Sequence, residues 1–228
     1  MYHRTMANAR VIAQAAAIPG GEMRCALPEA IVRERRDAAA EQSSEGILPR
    51  PGLLLDRDGT IIVDHGYVGS IDRVDFIEGA LEAIARFNRV NIPVAVVTNQ
   101  AGVARGFYGI EDVARVHQHI TDRLAEHGGH VDLYLYCPYH PDGVVEAFKR
   151  TSEDRKPRPG MAMAAATALN LDLTASWVVG DRPEDVGLAE SVGASAVYLG
   201  ARSIDRPGVW AFPSLASSAT FILERIAA

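Results

Sequence analysis

The chain is short of cysteine, of long apolar runs and of net positive charge. Its 228 residues include only Cys25 and Cys137, which do not make a disulfide framework, so a reducing cytoplasm is the expected location. No apolar run approaches the roughly 18 residues that a membrane-spanning helix needs. The formal net charge of −6 gives no general attraction to nucleic acid or to an anionic membrane. We therefore expect neither a nucleic-acid nor a membrane partner.

Residues 1–50 differ in composition from the rest of the chain. They contain alanine-rich and charged stretches and no apolar strand. We interpret them as an N-terminal extension, partly disordered or packed on the surface, that precedes a catalytic domain at 51–228. The alternative, that the segment belongs to the core, stays open.

From residue 52, short apolar runs alternate with amphipathic segments. Strands are predicted at 53–55, 94–97, 131–136, 177–179 and 194–199, and helices at 79–88, 110–127, 159–169, 183–192 and 217–227. This alternation predicts an α/β fold, in which right-handed crossovers build a Rossmann-like parallel sheet with helices on both faces. Ligands of such sheets bind at the carboxyl ends of the strands.

Polar clusters lie at several of these predicted strand ends. Asp56-Arg57-Asp58-Gly59-Thr60 follows the first strand, Thr98-Asn99-Gln100 the second, and Gly180-Asp181-Arg182 the fourth. Arg155-Lys156-Pro157 precedes the helix that leads into the fourth strand. Because such groups are costly to bury unless paired, they predict a functional site at this edge of the sheet.

The residue types predict phosphoryl transfer. Asp56, Asp58 and Asp181 would supply hard oxygen ligands to Mg²⁺. Asp56 is then the candidate nucleophile, forming an aspartyl-phosphate, and Asp58 the candidate acid and base. Thr98 and Lys156 would stabilise the charge on the transferred group, on which this chemistry largely depends.

Each cluster alone has a simpler interpretation. The Asp56 segment could be a calcium loop or a tight turn, and the Thr98 segment could be a helix N-cap. Arg155 and Lys156 could be a solvated surface pair, and Gly180-Asp181 a turn. The four clusters together, each at a strand or helix end, favour the phosphatase.

The order of these clusters also resembles the haloacid dehalogenase (HAD) superfamily, with Asp185 completing its fourth motif. Residues 64–68, 98–106, 137–141 and 155–161 further resemble its heptose-bisphosphate phosphatase group, to which histidinol-phosphate phosphatases are closely related. The resemblance covers about residues 52–200. It implies a HAD-like fold with no large cap domain, a flap at 61–77 and a magnesium cofactor.

The resemblance implies a small phosphorylated metabolite as the partner, with D-glycero-D-manno-heptose 1,7-bisphosphate first among the candidates. We expect a monomer. The substrate-binding residues that it implies are Asp64, His65, Gly66, Tyr67, Asn99, Gln100, Ala101, Arg105, Arg155 and Arg182. Arg155 would contact the rest of the substrate, with its second phosphate as one candidate group, whereas Arg105 could equally belong to a surface ion pair.

Other functions stay open. Histidinol phosphate or another metabolite is the main alternative substrate, and the intermediate could pass its phosphate to an acceptor other than water. A non-catalytic module that binds a phosphoryl ligand is disfavoured, because Asp56, Asp58, Thr98, Lys156 and Asp181 are all present.

Relatives of this type are also expected to carry a structural zinc in the loop before Lys156. Here Cys137-Pro138-Tyr139 and Ser152-Glu153-Asp154 retain one of the four implied ligands. Because structural zinc requires four good ligands, we expect no zinc and a loop at 138–154 that is ordered by packing or mobile.

Overall fold

A seven-stranded parallel sheet forms the centre of the computed structural model, which describes residues 22–25, 48–200 and 206–227. Its spatial order is β1-β4-β3-β2-β5-β6-β7, and every neighbouring pair is parallel. The strands are β1 (Glu22–Cys25), β2 (Leu53–Leu55), β3 (Val94–Asn99), β4 (Leu133–Cys137), β5 (Trp177–Gly180), β6 (Ser195–Leu199) and β7 (Val209–Phe212). The predicted α/β, Rossmann-like architecture is confirmed.

Helices cover both faces of the sheet. They are α1 (Ala80–Arg89), α2 (Ile110–Glu126), α3 (Gly160–Leu169), α4 (Pro183–Val192) and α5 (Leu215–Ile226). Helices α1, α2 and α5 contribute to one apolar core, and α3 and α4 to the other. Strand β2 serves both, since Leu53 and Leu55 join the first core and Leu54 the second, as the two-residue period of a strand requires.

Two edge strands were not predicted. Strand β1 pairs with β4 and lies within the segment in which we found no apolar strand. Its four residues alternate charged with less polar side chains, a pattern too short to separate from a loop. Strand β7 pairs with β6. Apart from 22–25 and 48–50, the predicted extension at 1–50 lies outside the described residues.

The topology explains why polar residues meet at one place. The chain proceeds from the central β2 outward to β3 and β4, and returns to add β5, β6 and β7 on the other side. Leu55 pairs with Val96 on one side and Val179 on the other, so the loops after β2, β3 and β5 leave the same edge. This reversal of strand order creates the crevice in which such sheets bind ligands.

The segment between β2 and α1 forms a flap rather than a cap domain. Ile62 makes bridges to Asp58 and to Phe76, and a short 3-10 helix spans Ile71–Arg73. No separate cap is seen among the described residues. Within that part of the chain, none of the helices combines the length and the apolar character required to cross a bilayer.

Candidate active site

A cavity of about 600 Å³ opens at the carboxyl ends of β2, β3 and β5. Most of the residues predicted for catalysis and substrate binding line it. They are Asp56, Asp58, Asp64, Gly66, Tyr67, Thr98, Asn99, Gln100, Ala101, Arg105, Arg155, Lys156 and Arg182. Five further lining residues had been given no catalytic or binding role: Tyr108, His140, Pro183, Glu184 and Asp185.

Lys156 is the buried cation of the site. Its Nζ lies 2.9 Å from Asp56 Oδ1 and 2.5 Å from Asp185 Oδ1. Burial opposes the charge, but the attraction of Asp185 and Asp56 outweighs it and raises the pKa of Lys156. The Asn99 side chain fixes the main chain of Lys156, donating to its carbonyl and accepting from its N–H, each at 3.1 Å. Asn99 therefore supports Lys156 as well as lining the cavity.

Three carboxylates converge beside this cation. One oxygen each of Asp56, Asp181 and Asp185 lies within 4.8 Å of the others. Burial and the repulsion of Asp56 raise the pKa of Asp181 to about 6. Asp181 Oδ1 is buried and has no hydrogen-bond partner among the described residues.

These residues fit a divalent cation. The three carboxylates have one lysine beside them, so the cluster carries excess negative charge. The Asp181 oxygen that lacks a hydrogen-bond partner among the described residues is a suitable ligand for a hard metal such as Mg²⁺. Gly59 allows the close approach, since it has φ +79° and a Cβ there would lie 2.3 Å from the Asp181 carboxylate. The sequence singled out Asp56 and Asp181 for this cluster.

Asp185 is the acidic residue that the prediction left out of the ligand set. It lies in the first turn of α4, where its Oδ2 accepts a hydrogen bond of 3.0 Å from the Arg182 N–H. Burial and Asp56 raise the pKa of Asp185, although Lys156 opposes the shift. The sequence did point to Asp185, because it completes the fourth motif of the superfamily that the chain resembles.

The Asp58 carboxylate has different partners. Arg57 donates to both of its oxygens at 2.8–3.2 Å, and Gln100 Nε2 donates to Oδ2 at 2.8 Å. Gln100 Nε2 also lies 3.0 Å from the buried Thr98 hydroxyl. The carboxylate of Asp58 is thus held at the cavity wall by donors, while its predicted role as a metal ligand stays a prediction.

The tip of the flap is held by arginines. Arg182 forms an ion pair with Asp64, and Arg73 donates to the carbonyls of His65, Gly66 and Tyr67. Burial opposes the charge on Asp64, yet hydrogen bonds from the Gly66 N–H and Arg182 lower its pKa.

One predicted substrate contact faces elsewhere. The His65 ring is 2.6 Å from the exposed carboxylate of Asp75 and does not line the cavity. Its neighbours Asp64, Gly66 and Tyr67 do line it.

The cavity is also lined by positive charge. Arg105 and Arg155 line it together with His140, and within the described part of the chain neither arginine pairs with a carboxylate, although Arg155 donates to the Tyr139 carbonyl at 3.5 Å. Arg105 Nε is buried and unpartnered there, and its guanidinium lies 5.9 Å from the centre of the Tyr67 ring. These contacts favour Arg105 as a cation of the site over the surface ion pair.

The loop at 138–154 is ordered by contacts of its own. The N–H groups of Val144 and Val145 donate to the Ala104 carbonyl at 2.7 and 2.9 Å, and Arg150 stacks 4.0 Å from the centre of the Tyr139 ring. Burial raises the pKa of the Cys137 thiol to about 11. The loop therefore reaches the cavity wall through packing and hydrogen bonds.

The chain is similar in sequence and in fold to several known proteins. A family model described as HAD-hydrolase-like matches residues 154–202. The chain is 39% identical to D-glycero-beta-D-manno-heptose-1,7-bisphosphate 7-phosphatase of Yersinia pestis over 73% of its own length and 92% of that protein. A crystal structure from Mesorhizobium loti assigned to the HAD-like phosphatases aligns with TM-score 0.73 and 36% identity, covering 79% of this chain and 87% of that one. The D,D-heptose 1,7-bisphosphate phosphatase of B. bronchiseptica, solved with magnesium and phosphate, aligns with TM-score 0.67 and 30% identity, covering 76% and 98%.

Proposed function

Since the chain belongs to the HAD phosphatase family of these relatives and is itself a phosphatase, we propose that it removes one phosphate from a sugar bisphosphate in a magnesium-dependent reaction. The observation that carries the proposal is the position of Asp56. Its carboxylate lies at the end of the central strand, lines the cavity, and has Lys156 2.9 Å away and two further carboxylates beside it.

Asp56 is the nucleophile of the proposed reaction. One of its oxygens bonds to phosphorus as the bond from phosphorus to the sugar oxygen breaks, giving an aspartyl-phosphate. The Arg57 N–H donates to Asp56 Oδ1 at 2.7 Å and fixes the orientation of the carboxylate. Lys156 and Thr98 stabilise the negative charge that spreads over the transferred phosphoryl oxygens.

Asp58 handles the protons in both steps. In the first it gives a proton to the departing sugar oxygen. In the second it takes a proton from the water that attacks phosphorus, so that the bond to Asp56 breaks and inorganic phosphate is released. The Asp58 side chain is 19% exposed at the cavity wall, which leaves room for that water.

Mg²⁺ would be held by Asp56, Asp181 and Asp185, with Asp58 as a further candidate ligand. When bound, it supplies positive charge that reduces the repulsion between the carboxylates and the incoming phosphate. Asp181 Oδ1, which has no hydrogen-bond partner in the part of the chain that the structure describes, supports this assignment.

Two observations support the substrate class, the relatives and the arginines that line the cavity. The names of the related enzymes specify heptose 1,7-bisphosphate, and a volume of about 600 Å³ is in the usual range for small-molecule sites. Arg105 and Arg155 lack carboxylate partners in the described chain, and arginine can bind phosphate through two parallel hydrogen bonds. We assign them to the phosphate that is not removed.

The proposal is tested by steady-state kinetics on heptose 1,7-bisphosphate, histidinol phosphate and an aryl phosphate, with the products counted for phosphate. We expect the highest kcat/KM for the bisphosphate and retention of one phosphate in the product. Asp56→Asn should abolish turnover without unfolding the protein, whereas Asp142→Asn, at a carboxylate 83% exposed, should leave turnover unchanged. Activity of Asp56→Asn above a few per cent of wild type would rule out the covalent step, and a preference for histidinol phosphate would overturn the substrate.

A further inference from the structure

The partners of Asp58 are all hydrogen-bond donors. Arg57 Nε lies 3.2 Å from Oδ1, Arg57 Nη2 lies 2.9 and 2.8 Å from the two oxygens, and Gln100 Nε2 lies 2.8 Å from Oδ2. Arg57 is fully buried and Gln100 is 1% exposed. Buried donors to both oxygens hold the Asp58 carboxylate in one orientation at the cavity wall.

The hydrogen-bond partners of the Gln100 side-chain amide determine which way its oxygen and nitrogen face. Its Oε1 is 3.0 Å from Arg57 Nη2, which can only donate, and 2.8 Å from the Tyr108 hydroxyl. The carboxamide oxygen must therefore face Arg57 and Tyr108, so the Nε2 group faces Asp58 and Thr98. Because Nε2 donates to Thr98 Oγ1, the Thr98 hydroxyl proton stays available for a phosphoryl oxygen.

Tyr108 connects this network to the flap. Its ring fits between two glycines, since a Cβ on Gly69 would lie 2.1 Å from the ring and one on Gly102 would lie 2.3 Å from it. Arg57 Nη2 makes a second link by donating to the Val68 carbonyl at 2.7 Å. The same side chains thus contact the flap and determine the orientation of Asp58.

We propose that Gln100 and Tyr108 are positioning residues that hold Asp58 as the base for hydrolysis of the aspartyl-phosphate. This inference rests on the proposed function, because it requires the covalent intermediate on Asp56. It also changes the role expected for Gln100, whose side chain is directed at Asp58 and Thr98 rather than left free for substrate. With a leaving group that departs without a proton, removing either residue slows the second step and leaves the first step largely intact.

An aryl phosphate separates the two steps. Its phenolate leaves without a proton from Asp58, so the first step no longer depends on Asp58, whereas the second still requires the base. We expect Gln100→Met and Tyr108→Phe to release a burst of nitrophenol from p-nitrophenyl phosphate at nearly the wild-type rate. Steady-state turnover should then fall about tenfold for Gln100→Met, which loses a hydrogen bond to a charged group, and less for Tyr108→Phe. Intact mass after acid quench should show the phosphorylated enzyme accumulating.

Tyr134→Phe is the matched control. Tyr134 is a buried tyrosine whose hydroxyl is 3.1 Å from Thr121 Oγ1, and we expect its loss to change neither phase. A fall of burst and steady-state rates by the same factor, or of neither, would refute the positioning role. The variant Asp58→Asn separates a failure of the proposed function from a failure of the positioning role alone. If it turns over like wild type, the proposed function fails, whereas an inactive Asp58→Asn beside unaffected Gln100→Met and Tyr108→Phe refutes this inference alone.

Discussion

Replacing Lys156 by methionine should destabilise the fold as well as abolish activity. The Lys156 side chain is 2% exposed, and its ammonium group lies 2.9 Å from Asp56 and 2.5 Å from Asp185. Methionine keeps the apolar stem but leaves two buried carboxylates without their cation. Removing one partner of a buried ion pair costs about 3–5 kcal/mol, and burial at this level leaves little screening by solvent. For a chain of this size that corresponds to a fall in Tm of about 10 °C.

The assay is thermal and urea unfolding without magnesium, followed by the same measurement with magnesium. Because a cation that binds only the folded state stabilises it, magnesium should recover part of the loss in Lys156→Met. The double variant Lys156→Met, Asp185→Asn should also be more stable than the single variant, since one uncompensated charge is gone. Lys149→Met is the control at an exposed lysine and should leave the Tm unchanged. A loss below about 1 kcal/mol for Lys156→Met would refute the claim that this lysine neutralises the carboxylates.

Three further predictions concern metal binding, pH and substrate charge. Gly59→Ala should weaken magnesium binding measured by calorimetry, because the new methyl would lie 2.3 Å from the Asp181 carboxylate, and an unchanged affinity would contradict this packing. Burial, and after it the charge of Arg57, lower the pKa of His117 well below 6.5. Below pH 6.5 this histidine therefore binds a proton in the unfolded chain but not in the folded one. The free energy of unfolding should fall by about 1.4 kcal/mol for each pH unit below 6.5. His117→Phe should remove that component in urea titrations at pH 5.5 and 7.5, and parallel losses in both proteins would show that His117 is not its source. Arg155→Gln should raise KM for the bisphosphate more than KM for an aryl phosphate, and equal changes would contradict its assignment to the second phosphate.

The positions of Asp56, Thr98 and Asp181 follow directly from the alternation of strands and helices. Each residue comes directly after a short apolar run or ends it, and parallel strands place such ends at one edge of the sheet. To predict these positions it was enough to assign the strands, and the short apolar runs at 53–55 and 177–180 are readily assigned as strands.

The partners of these residues depend on close approaches that the sequence pattern does not encode. Asp185 reaches the cluster because the residue at 180 is glycine, where a Cβ would lie 2.1 Å from the Asp185 carboxylate. Tyr108 reaches Gln100 because residues 69 and 102 are glycines. Both contacts arise from packing between a loop and a distant element, so neither follows from strand ends or helical periodicity. The hydrogen-bond donors around Asp58 were not predicted for the same reason, because they too come together through packing between separate loops.

The positions of the lysine and arginine side chains explain how a chain with net charge −6 could attract a phosphorylated substrate. Lys156 and Arg57 are buried against Asp56, Asp185 and Asp58, so their charge is largely neutralised before any ligand arrives. The attraction must then come from groups whose charge is not already neutralised by a carboxylate. Among the cavity-lining cations that the structure describes, these are Arg105 and Arg155, and near the nucleophile the positive charge would have to come from the bound metal. The two ends of a bisphosphate would thus be drawn by different charges, which is why loss of either arginine should affect binding more than chemistry.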